Sequence, residues 1–362
     1  MIVRVGLSRQ VTNKDQKTRF APTVWLGQSV NTSSICSGYP ELSNAAFLTS
    51  LGCAISRPSL RKTHFNTGLR TRLAILGPLM IDSGGFALSI NPGAKWTIRN
   101  VADCIGQIDA DVFVSLDYPP LMSDSGSARR SKIIASMKNF KILSERFPHK
   151  IIMPVVHGRT ISEVELSISS IFRSANEPKW VGLGGMVPLL RHRYISKDIS
   201  EMGAEVFIAK ALSLIRKAFP SSNIHVFGAG GTRTFPAVFS LGADSADSIG
   251  WRQAAGFGSI FLPLKSQRVV KWNRDRRPPR RLLDRGDLVQ LEMCRCPICN
   301  STISIESKLS AFRVSFHNRS IHNAWTITNQ SAFWPPTRSG MISMIASGAL
   351  GPDWGKAANL AN

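Results

Sequence analysis

The stretch Leu79-Met80-Ile81-Asp82-Ser83-Gly84-Gly85-Phe86 joins a short apolar run to an acid, a serine, two glycines and an aromatic residue. The apolar run predicts a buried strand, because a short apolar segment bounded by turn residues is typical of a strand covered on both faces. The two glycines permit a sharp turn and let a flat ligand approach the backbone. Taken alone, the stretch is equally compatible with a strand that simply ends in a turn.

The same plan recurs along the chain, because further apolar runs end at polar or glycine residues and alternate with segments of helical periodicity. Strands are predicted at 22–27, 79–82, 111–116, 151–156, 180–183, 224–227 and 243–249, and helices at 97–108, 128–147, 161–175 and 201–219; residues 46–51 fit either type. This alternation predicts an α/β fold with a parallel sheet. Functional-looking residues at the end of strand after strand favour a (β/α)8 barrel, whose strand ends share one mouth. A doubly wound sheet, the alternative, concentrates its site at one or two switch points.

The chain of 362 residues, 43% of them hydrophobic, is long enough for one large domain and a small appendage. We expect the barrel at 1–275, a basic segment followed by a module with three clustered cysteines, which could bind zinc, at 276–330, and an unassigned tail at 331–362. The N-terminus lacks a secretion-signal pattern. No apolar run approaches the roughly 18 residues of a membrane span. These features predict a cytoplasmic protein with no membrane partner.

The charge balance indicates a polyanionic partner, since 45 basic residues face 23 acidic ones and give a net charge of +22. Nucleic acid is the partner that such an excess favours, and a generally basic surface is the alternative. Basic residues crowd into 265–285, together with Trp272. This segment could contact phosphates or form a solvated linker. The candidate contacts to the nucleic-acid backbone are Arg252, Arg276, Arg277, Arg280 and Arg281.

Three clustered cysteines, Cys294, Cys296 and Cys299, have the spacing of metal ligands. Three thiolates so close together are natural ligands for Zn²⁺, which requires a fourth, and His317 and His322 both lie downstream. A site closed by three cysteines and one histidine predicts a structural zinc ion. The isolated thiols of Cys36, Cys53 and Cys104 are expected to be ordinary buried thiols of a reducing compartment.

Taken together, these motifs resemble those of the tRNA-guanine transglycosylase superfamily, whose members are zinc-containing (β/α)8 barrels that exchange a guanine in nucleic acid for a 7-deazaguanine. The resemblance covers about residues 75–325. It is carried by Asp82–Phe86, Gly184-Gly185, Gly242–Asp247 and the cysteine cluster with His322-Asn323. Because an asparagine follows the zinc histidine of this family, the resemblance favours His322 over His317 as the fourth ligand.

The resemblance implies that Asp247 is a nucleophile and Asp82 a general acid/base. It also implies a base-binding site made of Asp117, Ser83, Gly185, His157, Phe86 and Phe227. One carboxylate can accept both N–H donors of the guanine edge, and aromatic faces stack on a planar base. A carboxylate that attacks C1′ forms a covalent glycosyl-enzyme intermediate, and two such displacements retain the configuration at C1′.

Each of these residues also has an ordinary structural interpretation. Asp244 and Asp247 could cap a helix, Asp117 could begin a turn, and His157 could be a hydrogen-bonded structural histidine. Their joint placement at successive strand ends favours the catalytic interpretation.

The chain departs from the family pattern at Ala87, at His157-Gly158 and at Gly250-Trp251-Arg252, where the family carries residues that recognise the base and the backbone. In this respect it is similar to the bacterial and phage branch that inserts 7-deazaguanines, such as 7-cyano-7-deazaguanine, into DNA. We therefore expect a base-exchange glycosyltransferase that acts on DNA. The alternatives are the same reaction on tRNA and a non-catalytic barrel subunit that binds nucleic acid. A homodimer or a complex with a partner protein is compatible with the sequence.

Overall fold

The computed structural model describes residues 22–52, 68–91, 93, 95–174, 177–185, 189–190, 196–272 and 281–360. Among the residues named above, Cys53, Arg276, Arg277 and Arg280 lie outside these ranges. Their predicted roles therefore remain predictions.

Nine parallel strand segments form a nearly closed barrel, in the order β5-β4-β3-β2-β1-β9-β8-β7-β6. The strands are β1 (Thr23–Gly27), β2 (Ala46–Ser50), β3 (Leu79–Asp82), β4 (Val112–Val114), β5 (Ile152–Met153), β6 (Val155–Val156), β7 (Trp180–Leu183), β8 (Asn223–Val226) and β9 (Ser245–Ser248). The first and last strands pair with each other, in register at Trp25 and Asp247. The expected α/β barrel is therefore confirmed, and the segment at 46–51 is a strand.

The predicted strand at 151–156 is interrupted at Pro154, which has no N–H to donate to a neighbouring strand. Its first half, β5, pairs with β4, and its second half, β6, pairs with β7. The carbonyl of Pro154 still accepts a hydrogen bond of 2.8 Å from the Gly182 N–H. The two halves thus occupy the place of one barrel strand.

Helices follow the strands around the outside of the barrel and continue beyond it. Those of the described residues are α1 (Leu69–Leu73), α2 (Gly85–Ser89), α3 (Ile98–Gln107), α4 (Gly126–Arg146), α5 (Ile161–Ser174), α6 (Lys197–Met202), α7 (Ala204–Ala218), α8 (Thr234–Ser240), α9 (Gly250–Gly256), α10 (Arg285–Glu292), α11 (Pro297–Asn300), α12 (Ile305–Val314), α13 (Phe316–Asn329), α14 (Arg338–Ala346) and α15 (Pro352–Asn359). The single helix predicted at 201–219 is wrong in its start. Gly203, at φ 88° and ψ 150°, separates α6 from α7.

The barrel interior holds its own apolar cluster, which includes Trp25, Leu48, Met80, Val155 and Trp180. Successive residues of a strand point to opposite faces, so a residue two positions beyond an interior one also points inward. Asp82, two positions beyond Met80, and His157, two positions beyond Val155, follow this rule, whereas Asp117 lies in the loop after β4, three positions beyond Val114. The side chains of Asp82 and His157 therefore lie above the apolar cluster, at the mouth of the barrel.

The C-terminal part is helical and packs against the barrel. A short antiparallel pair, β10 (Ser259–Ile260) and β11 (Arg268–Val269), follows α9, and α13 packs against both α9 and β10. Helices α14 and α15 of the tail pack against each other and against α8 and α7 of the barrel. None of the described helices combines the length and the apolar character needed to cross a membrane.

Candidate active site and metal centre

Asp82 ends β3 at the barrel mouth, where its carboxylate is half-buried. Its Oδ2 accepts hydrogen bonds from the Ser50 hydroxyl at 2.5 Å and from the Gly84 N–H at 3.2 Å. Burial, followed by the negative charges of Asp117 and Asp247, raises the pKa of Asp82 from 3.8 to about 7, although the hydrogen bonds from Ser50 and Gly84 act to lower it. Asp82 can therefore hold a proton near neutral pH and release it with little change in conditions.

Asp117 follows β4 and is almost fully buried, with 7% of its surface exposed. Its Oδ2 lies 2.7 Å from Nε2 of His157, which follows β6 and is also buried. The other ring nitrogen of His157, Nδ1, is buried and has no hydrogen-bond partner among the described residues. His157 therefore holds Asp117 in place through Nε2, while the remaining lone pairs of the carboxylate can accept donors from a ligand.

Asp247 lies in β9 with 9% of its surface exposed. Its Oδ1 accepts a hydrogen bond of 2.7 Å from the Gly228 N–H in the loop after β8. The same oxygen lies 3.4 Å from Nε2 of His225, which is fully buried in β8. The neighbouring Asp244 has a different role, because its Oδ2 binds Arg216 at 2.5 Å and the Ile224 N–H at 2.8 Å.

Two glycines permit the close packing around Asp117 and His157. A Cβ at Gly85 would lie 2.2 Å from Oδ1 of Asp117, and a Cβ at Gly184 would lie 2.4 Å from Cε1 of the His157 ring. Neither position can accept a side chain without displacing its neighbour. Gly185 differs, because a Cβ there would lie more than 4 Å from the nearest described atoms beyond its chain neighbours, although its φ of +80° is a left-handed conformation that favours glycine.

The two aromatic candidates occupy different surroundings. Phe86 is the second residue of α2 and is 62% exposed. Phe227 is half-buried above the barrel interior, where its ring packs edge-on against His225, with centroids 4.5 Å apart. Ser83 is fully buried, and its hydroxyl donates to the Ser115 carbonyl at 3.0 Å. Its backbone carbonyl accepts a hydrogen bond of 3.0 Å from the Trp96 indole.

The cysteine cluster forms a compact donor set with His322. The Sγ atoms of Cys294, Cys296 and Cys299 and Nδ1 of His322 all lie within 4.8 Å of one another. Nδ1 is 3.3–3.8 Å from the three sulfurs, a spacing compatible with tetrahedral ligands at about 2.0–2.3 Å from one Zn²⁺ ion. His317 lies elsewhere, beside the ring of Tyr39. The donor set therefore fits a zinc ion.

The surroundings of His322 support this fit. Its Nε2 lies 2.9 Å from the Phe261 carbonyl, and a donor role at Nε2 leaves the Nδ1 lone pair free for a metal. The next residue, Asn323, accepts from the Phe261 N–H and donates to the carbonyls of Trp251 and Ser259. Helix α13, which carries His322, is thus hydrogen-bonded to the segment that follows β9.

Some of the basic residues near 265–285 have structural partners. Lys265 and Arg268 both bind the buried Asp287, at 2.6 Å and 2.5 Å. Arg252 is half-buried, with its guanidinium carbon 5.5 Å from the ring centroid of Phe316. Burial lowers the pKa of Arg252 below its ordinary value. Arg281 is exposed.

Arg281 also lines a cavity of about 660 Å³ beside the loops that follow β8 and β9. The loops after β8 and β9 contribute Gly230 and Gly250, and the tail contributes residues 350–354. Its described lining includes the strongly exposed Phe257 but none of the three acids at the barrel mouth. The cavity therefore adjoins the acid cluster without containing it.

Three groups of the site were absent from the sequence predictions: the Ser50 hydroxyl, the Gly228 N–H and the His225 ring. Strand alternation could have indicated His225, because it lies two positions before Phe227 on the same face of β8. Ser50 pairs in register with Asp82, so its position at a strand end was a usable signal as well. Nothing in the sequence could have indicated the Gly228 N–H, since its direction depends on the loop conformation.

Proteins named tRNA-guanine(15) transglycosylase, a glycosyltransferase class of enzyme, are similar to this chain. The chain is 26% identical to the Methanosarcina acetivorans protein over 246 residues, which are 67% of the chain and 44% of that protein. It is 28% identical to the Picrophilus torridus protein over 182 residues, or 50% and 27% of the two chains. With the Thermococcus kodakarensis protein it shares 22% identity over 294 residues, or 80% and 45%.

The chain thus spans less than half the length of these curated relatives. No protein-family model matches it. The names of these relatives concern tRNA and give no support to the DNA-modifying branch expected from the sequence. Together with the barrel and the Cys3His cluster, these distant homologues support the membership of the chain in the tRNA-guanine transglycosylase superfamily.

Proposed function

We propose that this protein is a base-exchange glycosyltransferase that replaces a guanine in nucleic acid with a 7-deazaguanine. The observation that carries the proposal is the convergence of Asp82, Asp117 and Asp247 at one barrel mouth, where their charges act on one another. Three acids so placed can divide nucleophilic attack, proton transfer and base recognition among themselves. A protein that only binds nucleic acid has no need of such a buried acid cluster.

In the proposed reaction, a carboxylate oxygen of Asp247 attacks C1′ of a target nucleotide that has been flipped out of any duplex. The bond between C1′ and the base nitrogen N9 breaks, and the electron pair leaves with the base. Asp82 supplies the proton that neutralises the departing guanine. In the second half, Asp82 accepts the N9 proton of the incoming base, which attacks C1′ and releases Asp247.

The base is recognised, in this proposal, by Asp117 through the N1–H and the 2-amino group of guanine. Gly185 offers its backbone N–H to O6, and the described residues leave room for the base beside it. Phe86 and Phe227 stack on the two faces of the ring. Ser83 and His157 support the site from below. The Ser83 hydroxyl binds the Ser115 carbonyl after β4, and the His157 ring binds the Asp117 carboxylate.

We propose that zinc, held by the cysteine cluster and His322, has a structural role. Its ligands fill a tetrahedral shell, which leaves no position for a substrate. When bound, zinc would cross-link the C-terminal helices and would take no part in the reaction at C1′. The exposed Arg281 and the half-buried Arg252 are the described candidates for contacts to the nucleic-acid backbone.

The names of the relatives favour tRNA as the substrate, which was the alternative in the sequence analysis. DNA remains a second candidate, favoured by the departures at Ala87 and His157 from the residues that usually recognise the substrate. The incoming base, whether 7-cyano-7-deazaguanine or another 7-deazaguanine, is proposed by resemblance.

The test is incubation of the purified protein with radiolabelled guanine and, separately, with bulk tRNA, single-stranded DNA and duplex DNA. Incorporation into tRNA alone supports the tRNA proposal, and incorporation into DNA alone supports the second candidate. Absence of incorporation into every substrate, under conditions where the Asp247→Asn variant binds the same nucleic acids as the wild type, would favour the binding-only subunit.

A further inference from the structure

A chain of three polar side chains descends from the barrel mouth into its apolar interior. Asp247 is at the top, His225 lies beside and below it, and Ser245 lies on the strand of Asp247, two positions earlier. His225 and Ser245 are fully buried. The ring of His225 packs edge-on against Trp25 and Phe227, with interplanar angles of 86° and 76°. Its polar partners among the described residues are therefore Ser245 and Asp247.

The two contacts select one tautomer of His225. Nδ1 lies 2.8 Å from the Ser245 hydroxyl, and Nε2 lies 3.4 Å from Oδ1 of Asp247. An unprotonated Nε2 would direct its lone pair at a carboxylate oxygen, which is unfavourable inside a protein. The proton therefore belongs on Nε2, and the Ser245 hydroxyl must donate to Nδ1. Ser245 thus fixes the direction in which His225 donates.

The arrangement also distinguishes the two oxygens of Asp247. Oδ1 accepts from the Gly228 N–H at 2.7 Å and faces His225. For Oδ2, the part of the chain that the structure describes provides no hydrogen bond. A carboxylate oxygen without donors keeps its lone pairs for a substrate, whereas one with two donors is held in place.

We propose that Ser245 and His225 are a buried positioning pair that orients Asp247 and presents its Oδ2 to C1′. This inference rests on the proposed function, since it assumes that Asp247 is the nucleophile. When Oδ2 bonds to C1′, Oδ1 becomes the carbonyl oxygen of the ester and keeps both donors. When the incoming base attacks C1′, the C1′–Oδ2 bond breaks and its electron pair returns to the carboxylate. The same two donors then stabilise the charge that develops on it.

The first experiment compares the kinetics of guanine exchange in His225→Leu, His225→Gln and Ser245→Ala. Leucine removes both ring nitrogens, while the glutamine amide retains an N–H that can reach the position of Nε2. We expect His225→Leu to lower kcat by about 10- to 100-fold, the loss typical of a hydrogen bond to a charged group. KM for nucleic acid should change by less than about twofold, because ground-state binding is untouched. His225→Gln should recover most of the loss.

Ser245→Ala tests the pair independently of the size of the histidine. It should lower kcat by roughly 3- to 10-fold, and it should add no further loss in the His225→Leu background, because the two residues act as one unit. Thr49→Val is the matched control, since it removes a buried hydroxyl that has no hydrogen-bond partner in the described structure. Its kcat should equal that of the wild type. Wild-type kcat in both His225→Leu and Ser245→Ala would overturn the inference.

A second measurement remains decisive even if the protein shows no exchange activity. Nitrogen-15 NMR of histidine-labelled protein, with the His225 signals assigned by their absence from His225→Gln, reports which ring nitrogen carries the proton. The inference requires the Nε2–H tautomer in the wild type. In Ser245→Ala it requires a mixture of the Nε2–H and Nδ1–H tautomers. A stable Nδ1–H tautomer would overturn the positioning pair, whereas inactive wild type with the expected tautomer would refute only the proposed function.

Discussion

Substitution of Asp82 by asparagine should make the protein more stable at neutral and alkaline pH, although it removes a residue of the candidate active site. In the folded protein, burial and the charges of Asp117 and Asp247 raise the pKa of Asp82 from 3.8 to about 7. Asparagine has a similar shape and carries no charge. Its amide oxygen can accept the same hydrogen bonds from Ser50 and Gly84 that Oδ2 accepts now.

The sign and size of the effect follow from proton linkage. Between the unfolded and folded pKa values, the folded state binds a proton that the unfolded state has lost, so stability falls as the pH rises. Below about pH 4 Asp82 is protonated in both states, and above about pH 8 it is ionised in both. At about 1.36 kcal/mol per pKa unit, and with allowance for screening by solvent, Asp82 costs the folded state about 2–4 kcal/mol above pH 8.

Chemical denaturation of the wild type and of Asp82→Asn, measured from pH 4 to pH 9, tests this reasoning. The difference in the free energy of unfolding should be near zero at pH 4, grow in favour of the variant through pH 7 and then level off. Asp109→Asn is the control, because its side chain is 95% exposed and its removal should give no such trend. A constant difference between Asp82→Asn and the wild type over the whole range would refute the raised pKa.

Further predictions concern the metal, the base site and the basic surface. Purified protein should contain about one zinc ion per chain. The Cys299→Ser variant should bind no zinc, and its Tm should be lower than that of the wild type by more than about 5 °C. Metal-free protein with the wild-type Tm would contradict the structural role. Gly85→Ala should displace Asp117 and raise KM for guanine at least about tenfold, because a methyl group would clash with its carboxylate. Gly106→Ala is the control, because its methyl group would make only an ordinary van der Waals contact of 4.0 Å with the Phe147 ring. Unchanged KM in Gly85→Ala would contradict the placement. Arg281→Glu should weaken nucleic-acid binding and reduce the slope of log affinity against log salt by about 0.7–0.9 for one lost phosphate contact; an unchanged slope would indicate a merely solvated arginine.

The fold could be predicted from the sequence because the alternation of apolar strands and amphipathic helices is strong and repetitive. The helix predicted at 97–108 is observed as α3, which buries Val101, Cys104 and Ile105. The details that failed depend on single residues within otherwise regular segments. Gly203 ends α6 at Met202, inside the helix that was predicted at 201–219. Pro154 divides one barrel strand into two short segments that pair with different neighbours.

The site was predictable where residues follow strands directly, and less so where loops orient them. Asp82, Asp117 and Asp247 could be chosen because parallel strands deliver their ends to one mouth. The bond between His157 and Asp117 could not, because it depends on how closely Gly85 and Gly184 let the two loops approach. The choice of His322 over His317 depended on the asparagine beside it, and the structure places His322 among the three sulfurs.

The central claim is that Asp247 attacks C1′ and becomes covalently bound to the nucleic acid. It is tested most directly by incubating the protein with tRNA in the absence of an incoming base, isolating any cross-linked species under denaturing conditions, and mapping the attachment by mass spectrometry of nuclease- and protease-digested material. The account predicts a ribosyl adduct on the peptide that contains Asp247, formed by the wild type and absent from Asp247→Asn. An adduct on another residue, or full guanine exchange by Asp247→Asn, would contradict it.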